Sequence, residues 1–234
     1  MPARLTTIGF DADDTLWQNE RFFRLTQARF AELLADYIDE GPLHDRLIAA
    51  ERRNLGHYGF GIKGFTLSMI ETAIEVTDKR VPAAVIAELI AAGQDMLRHP
   101  IELLPGARET IEALAPHFRT LLITKGDLLD QERKLAQSGL GDLFHGVEIV
   151  SHKTAAAYTQ IFARHGEGVG AALMVGNSLR SDVIPVLQAG GWGVYVPHDL
   201  TWALEHDDEP QNQPRYRRLD SLETLPALVA QIAG

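Results

Sequence analysis

Three carboxylates fall within four positions at Asp11, Asp13 and Asp14, directly behind the apolar residues Leu5, Ile8 and Phe10. The apolar lead reads as a short buried strand, and alternation along an extended chain puts Asp11 and Asp13 on the same side of it. Two convergent carboxylates repel unless a cation sits between them or one keeps a proton. A hard divalent cation suits such a site. Mg²⁺ takes one or two protein carboxylates and leaves room for water and phosphate oxygens. A solvated acidic turn, with Asp14 or Thr15 capping the next helix, accounts for the same residues without chemistry.

Three later stretches offer polar groups behind apolar runs. Thr120-Leu121-Leu122-Ile123 ends in Thr124-Lys125-Gly126-Asp127. A hydroxyl there, followed by Gly, can hold a phosphoryl oxygen together with the N–H groups of the turn; the alternative is an ordinary turn capped by Asp127. Lys153 in Ser151-His152-Lys153-Thr154 reads on its own as a surface lysine. In Val175-Gly176-Asn177-Ser178-Leu179-Arg180-Ser181-Asp182, an amide oxygen from Asn177 and a carboxylate from Asp182 are both competent Mg²⁺ ligands. Asp182 equally suits a helix N-terminus, where the dipole favours an acid.

The elements that must position these groups follow from periodicity. After the opening strand the chain reads as helix after helix. Phe22, Phe23, Leu25, Phe30, Leu33, Leu34 and Tyr37 recur at helical spacing, with Gly41-Pro42 as the stop. Further helical runs cover Leu43 to about Leu55, Thr66 to about Val76, and Val81 to about Leu97, with Pro82 suited to a first turn. From Leu103-Leu104-Pro105-Gly106 onward strands alternate with helices. The strands are Arg119 to Thr124, Val147 to Val150, Ala171 to Val175, Gly193 to Val196 and Tyr216 to Leu219. The helices are Ala107 to Leu114, Asp127 to Gln137, Thr154 to Arg164, Ser181 to Gln188 and Leu222 to Ile232. Such alternation predicts an α/β fold, a doubly wound parallel sheet covered on both faces, with ligands at the carboxyl ends of its strands. His198 to Pro214 reads as an irregular surface excursion.

The motif Asp11-Ala12-Asp13-Asp14-Thr15-Leu16 resembles the first motif of the haloacid dehalogenase-like hydrolases, a superfamily dominated by phosphatases. Its other motifs follow in order. Thr124 matches the second, although Lys125 stands where Asn is common; Lys153 matches the third, with Thr154 in place of the usual Pro; Asn177 and Asp182 match the fourth, with Asn177 replacing an acid. The resemblance implies a Rossmann-like core over 1–17 and 99–234 and a smaller all-helical cap over 18–98. It further implies a Mg²⁺-dependent phosphatase acting on a small phosphorylated metabolite. Asp11 would be the nucleophile and Asp13 the general acid and base. Thr124 and Lys153 would stabilise the phosphoryl oxygens, Lys125 and Gly126 would lie beside the substrate, and Asp11, Asp13, Asn177 and Asp182 would form the metal shell. A dehalogenase or phosphomutase of the same fold, or a receiver-like phospho-acceptor module, are the rival readings. Halide departure needs no general acid, so Asp13 argues for phosphate.

Composition narrows the partners. The 234 residues contain no cysteine, which excludes disulfides, thiolate metal sites and cysteine nucleophiles and permits a reducing compartment. The net charge of −10 argues against binding a nucleic acid polymer. Arg215, Arg217 and Arg218 read as a solvated strand edge. Residues Met1 to Thr7 carry no long apolar leader and no stretch reaches the length of a membrane span, so a cytoplasmic protein without membrane partners is expected. Within the helical block, His57-Tyr58-Gly59-Phe60-Gly61-Ile62-Lys63-Gly64-Phe65 is too rich in glycine for a stable helix. It is expected to be a loop, either packing its aromatics into the cap or presenting Tyr58 or Lys63 to substrate.

Overall fold

Side chains along the short strands alternate between two apolar layers, and this builds a sheet buried on both faces. In the computed structural model, which describes residues 4–234, the strands are β1 (Thr7–Phe10), β2 (Arg119–Lys125), β3 (Gly146–Val150), β4 (Ala172–Gly176), β5 (Trp192–Tyr195) and β6 (Tyr216–Arg218). Met1–Ala3, the start of the segment read for a leader, lie outside the described residues. The sheet order is β3-β2-β1-β4-β5-β6, and every pairing is parallel. Nine α-helices accompany it among the described residues: α1 (Glu20–Leu34), α2 (Glu40–Tyr58), α3 (Ile62–Val76), α4 (Ala83–Arg98), α5 (Ala107–Leu114), α6 (Leu128–Ser138), α7 (Ala155–His165), α8 (Ile184–Gln188) and α9 (Leu225–Ala233). None of the described helices is long and apolar enough to cross a membrane.

The chain forms two units: Met1–Gln18, Ile101–Lys125 and Gln131–Gly234 make the sheet unit, and Asn19–Pro100 with Gly126–Asp130 make the helical unit. In the sheet unit, Ile8, Phe10, Leu122, Leu173, Val175 and Val194 meet Ile111 of α5 and Leu225 and Val229 of α9. On the other face Leu121, Ile123, Ala172 and Met174 meet Tyr158, Ile161 and Phe162 of α7. Each fully buried side chain of this size contributes about 1.5–3 kcal/mol. The helical unit has its own core, with Phe30 and Leu34 of α1, Leu43 and Leu47 of α2, Phe65 and Met69 of α3, and Leu89 and Met96 of α4.

Four sequence expectations need correction. Gly41-Pro42 lie in the first turn of α2 rather than ending α1, because a first-turn proline loses only an N–H that has no helical partner. The glycine-rich segment is mostly helical: α2 runs to Tyr58 and α3 starts at Ile62, leaving only Gly59-Phe60-Gly61 between them. Gly59 and Gly61 take positive φ values of 71° and 114°, which makes the reversal possible in three residues. Ser181 does not begin a regular helix, since Leu179–Val183 is a π-helical turn before α8. His198 to Pro214 is not merely a surface excursion, because its short 3₁₀ turn, Ala203–Glu205, buries Leu204. The arginines of the β6 region do sit at the sheet edge: Arg215 and Arg217 cover the Trp192 ring at 5.7 and 5.1 Å.

Candidate active site

Strand order reverses between β1 and β4, which opens a crevice at the carboxyl ends of the strands. Asp11 leaves β1 at this point with its N–H bonded to the Val175 carbonyl at 2.9 Å. The chain then turns tightly. Asp14 adopts φ 60°, a left-handed conformation that Asp tolerates better than most residues, and its N–H reaches the Trp17 carbonyl at 2.8 Å. Asp14 is therefore part of a turn rather than a helix cap. The turn aims the Thr15 hydroxyl at Asp11 Oδ2, 2.9 Å away.

The buried centre is an ion triad. Lys153 Nζ donates to Asp11 Oδ1 and, at 2.7 Å, to Asp182 Oδ1. Burial alone would lower the Lys153 pKa, but the charges of Asp11 and Asp182 outweigh it and raise it above the usual lysine value. Asp182 is pushed up to about 7, chiefly by burial and then by the charge of Asp11, against the pull of Lys153. One ammonium thus serves two carboxylates. Gly176 is what allows Asp182 this position: a Cβ at that residue would lie 2.2 Å from Asp182 Oδ2. Thr154, where the family motif commonly has Pro, caps α7 by accepting from the Ala157 N–H at 3.1 Å.

The two carboxylates of the opening motif face different partners. Asp13 Oδ1 accepts from Trp17 Nε1 at 2.7 Å and from Lys134 Nζ at 2.9 Å. Its Oδ2 accepts from Gln131 Nε2 at 3.2 Å, and the same Gln131 nitrogen lies 2.6 Å from Thr124 Oγ1. Lys125, at the end of β2, does not point into open space. It pairs with Glu205 and donates to Ser181 Oγ at 2.7 Å, while Ser178 and Ser181 each donate to Glu205 Oε2 at 2.6 Å. Burial pushes the Glu205 pKa up, but Lys125 and the two serines outweigh it and hold the carboxyl below its usual range. Gly126 follows β2 with positive φ, and Asp127 caps α6 by accepting from the Asp130 N–H at 3.2 Å.

The residues read as a metal shell divide in the same way. Asn177 has two amide orientations. With nitrogen turned inward it donates to Asp11 Oδ2 and to the main-chain oxygen of Asp13, each at 3.2 Å; with oxygen turned inward it lies 3.3 Å from the Thr15 hydroxyl and beside those two oxygens, a grouping that a hard cation would suit. This donor set, one carboxylate and two neutral carbonyl oxygens, fits a hard divalent ion. The Asp13 carboxylate faces Trp17, Lys134 and Gln131, and that of Asp182 meets Asp11 through the shared Lys153, its Oδ2 accepting from the Ser178 N–H at 3.0 Å. Accordingly no three His, Cys, Asp or Glu side chains gather as a metal cluster among the described residues. Tyr58 and Lys63 lie in the helical unit and bind its carboxylates: Tyr58 donates to Glu71 at 3.0 Å and Lys63 pairs with Asp127 at 2.9 Å.

Gln131, Lys134 and Glu205 escaped the sequence reading. The first two look like ordinary polar positions of an amphipathic helix, and Glu205 sits in a segment without periodicity. Only their burial, at 2% exposure for Gln131 and 6% for Lys134, marks them out, since a buried lysine is rare unless paired.

Fold and site together define an α/β protein with a buried carboxylate at the switch point of a doubly wound parallel sheet. The chain belongs to the haloacid dehalogenase-like hydrolases, whose family model matches residues 5–190. Among solved structures it is similar to a haloacid dehalogenase-like family hydrolase from Xanthomonas campestris, with 42% identity and a TM-score of 0.89, over 98% of this chain and 92% of that one. It shares its fold with the HAD-hydrolase YfnB from Bacillus subtilis bound to magnesium (18% identity, TM-score 0.66, 97% of this chain and 99% of that one). The same holds for L-2-haloacid dehalogenase from Xanthobacter autotrophicus with chloropropionic acid covalently bound (17% identity, TM-score 0.63, 98% and 100%). No curated protein matches the chain.

Proposed function

We propose that this hydrolase is a phosphatase that cleaves a small phosphorylated metabolite through an aspartyl-phosphate on Asp11. The observation that carries the reading is the second carboxylate, Asp13, held by three donors two residues beyond Asp11. Asp11 attacks phosphorus, and the P–O bond to the leaving group breaks. Asp13 gives its proton to the departing alkoxide and then takes one from the water that hydrolyses the acyl phosphate, returning Asp11 as a carboxylate. Thr124 and Lys153 are the donors available to the equatorial oxygens. Asp11 Oδ2, the Asp13 main-chain oxygen and Asn177 Oδ1 are the groups suited to hold Mg²⁺, the ion named for the fold relative YfnB. When bound, the ion neutralises phosphate charge and fixes the attacked group. The helical unit is the proposed cap, selecting the leaving group. The absence of cysteine suits a cytoplasmic enzyme.

A second reading is 2-haloacid dehalogenation, favoured by one observation: Asn177 stands where a charged metal ligand is usual. Attack of Asp11 on carbon, expelling halide, would need neither metal nor general acid. A turnover screen of phosphate monoesters and 2-haloacids, each with Mg²⁺ and after exhaustive chelation, separates the two. The expected result is Mg²⁺-dependent release of phosphate and no release of halide. Halide release at full rate after chelation would overturn the phosphatase reading.

A further inference from the structure

Asp13 lies in a turn, and a short side chain there has several rotamers available; here three donors remove that freedom. Trp17 Nε1 and Lys134 Nζ, at 2.7 and 2.9 Å, both point to Oδ1. A carboxylate oxygen offers about two acceptor positions, so Oδ1 is filled. Oδ2 accepts only from Gln131 among the described residues, and it therefore retains a position for a proton. The donors are built into the unit rather than recruited from solvent. Trp17 is fully buried, and Gln131 and Lys134 are nearly so. Gln131 and Lys134 lie one turn apart on α6, on the same face. Gln131 also donates to Thr124 Oγ1 at 2.6 Å. The Thr124 hydroxyl, accepting from this amide, directs its own hydrogen elsewhere, here to the Lys125 carbonyl at 3.5 Å, a long contact that a bound anion would replace.

We propose that Lys134, Gln131 and Trp17 are positioning residues of the phosphoryl-transfer step, locking Asp13 so that Oδ2 is the oxygen that exchanges protons, while Gln131 sets the Thr124 hydroxyl as a donor. The inference rests on the phosphatase reading and extends it to residues outside the four family motifs. In the first half-reaction the leaving oxygen receives the electron pair of its P–O bond and the proton from Asp13 Oδ2, and Asp13 becomes a carboxylate. In the second, water bonds to phosphorus and its proton returns to Oδ2, and the bond between phosphorus and Asp11 breaks with its electron pair returning to Asp11.

Leaving-group dependence tests this. p-Nitrophenolate departs without a proton, whereas a simple alkoxide requires one. The measured quantity is kcat/KM with ethyl phosphate and with p-nitrophenyl phosphate, because it ends at phosphoenzyme formation and so isolates leaving-group departure. Lys134→Met is expected to lose at least about tenfold more on the alkyl ester than on the nitrophenyl ester, a fraction of the 10²–10⁴ that general acid catalysis supplies. Lys134→Arg, which keeps a donor, should restore part of the difference. Trp17→Phe and Gln131→Met carry the same comparison if Lys134→Met does not fold. Equal losses on both esters in every folded variant, as lost stability or altered phosphate binding would cause, overturn the proposal. The underlying reading fails separately: a wild-type protein that hydrolyses neither ester with Mg²⁺ yet releases halide from a 2-haloacid refutes the phosphatase assignment, and this inference with it.

Discussion

Asp11, Asp13 and Asn177 each carry a different burden, and single substitutions separate them. Asp11 is the only one of the three in contact with Lys153. On the proposed mechanism Asp11→Asn removes the nucleophile and should abolish both turnover and the covalent phosphate detectable after acid quench. Asp13→Asn keeps the shape and should still form some phosphoenzyme from an activated ester, while turnover falls by about 10²–10⁴. Persistent labelling of the Asp11→Asn protein at this site would remove Asp11 from its role. Asn177 brings an oxygen without charge, in an amide that can present nitrogen instead. Asn177→Asp adds a charge beside Asp11 and should tighten Mg²⁺ binding on the order of tenfold in a calorimetric titration of the folded protein. Unchanged or weaker affinity would mean that Asn177 does not face the ion.

At the scale of elements, the loop after β4 is braced by a carboxylate that arrives from a distant segment. Glu205 accepts from Ser178, which precedes the π-helical turn, and from Ser181 within it, and pairs with Lys125 of β2. With the Glu205 carboxyl held below its usual range, folding favours the ionised form. Its stabilising contribution is complete above the unfolded glutamate pKa of about 4.3 and is lost as pH falls through the lower folded value. Glu205→Gln removes the carboxylate that Lys125, Ser178 and Ser181 bind and should cost about 1–3 kcal/mol at neutral pH. Denaturant titrations at a series of pH values should show the gap between wild type and variant narrowing only below that unfolded value. A gap independent of pH would mean that the glutamate acts by shape and not by charge.

For the whole molecule, the proposal that the helical unit is a cap leads to the question of which leaving group is accepted. The helical unit carries the two candidate selectors, Tyr58 bonded to Glu71 and Lys63 paired with Asp127. Both side chains are about half exposed, at 45% for Tyr58 and 54% for Lys63. Exposed pairs of this kind contribute about 0–1 kcal/mol, so their removal should leave the unit folded. Replacing Tyr58 and Lys63 by Ala is therefore expected to reorder kcat/KM among phosphorylated metabolites by more than about tenfold. Equal loss on all substrates with a lower Tm would assign these side chains to stability alone.

What the amino-acid sequence determined by itself is local and periodic. Short apolar runs such as Leu121 to Ile123 and Ala172 to Val175, alternating with helical segments, were enough to reach a parallel sheet buried on both faces, and the polar residues after those runs had to fall at strand ends. Element boundaries shifted where local signals compete: Gly41-Pro42 can stop one helix or start the next, and glycines at 56, 59, 61 and 64 look alike until Gly59 and Gly61 alone take positive φ. The motif order brought Lys153 to Asp11 as its counter-charge, but only the tertiary structure decided that Asp182 shares that lysine and that Glu205 faces Lys125. Lys153 reaches Asp11 and Asp182 from 142 and 29 residues away along the chain, and Glu205 reaches Lys125 across 80. Such pairings depend on how crossover connections order the strands, and no short-range periodicity encodes that. The direction in which Asp13 turns is of the same kind, because it is set by an indole four residues on and by two side chains of α6. A sequence displays a carboxylate there, but the packing around it determines which of its oxygens is left to react.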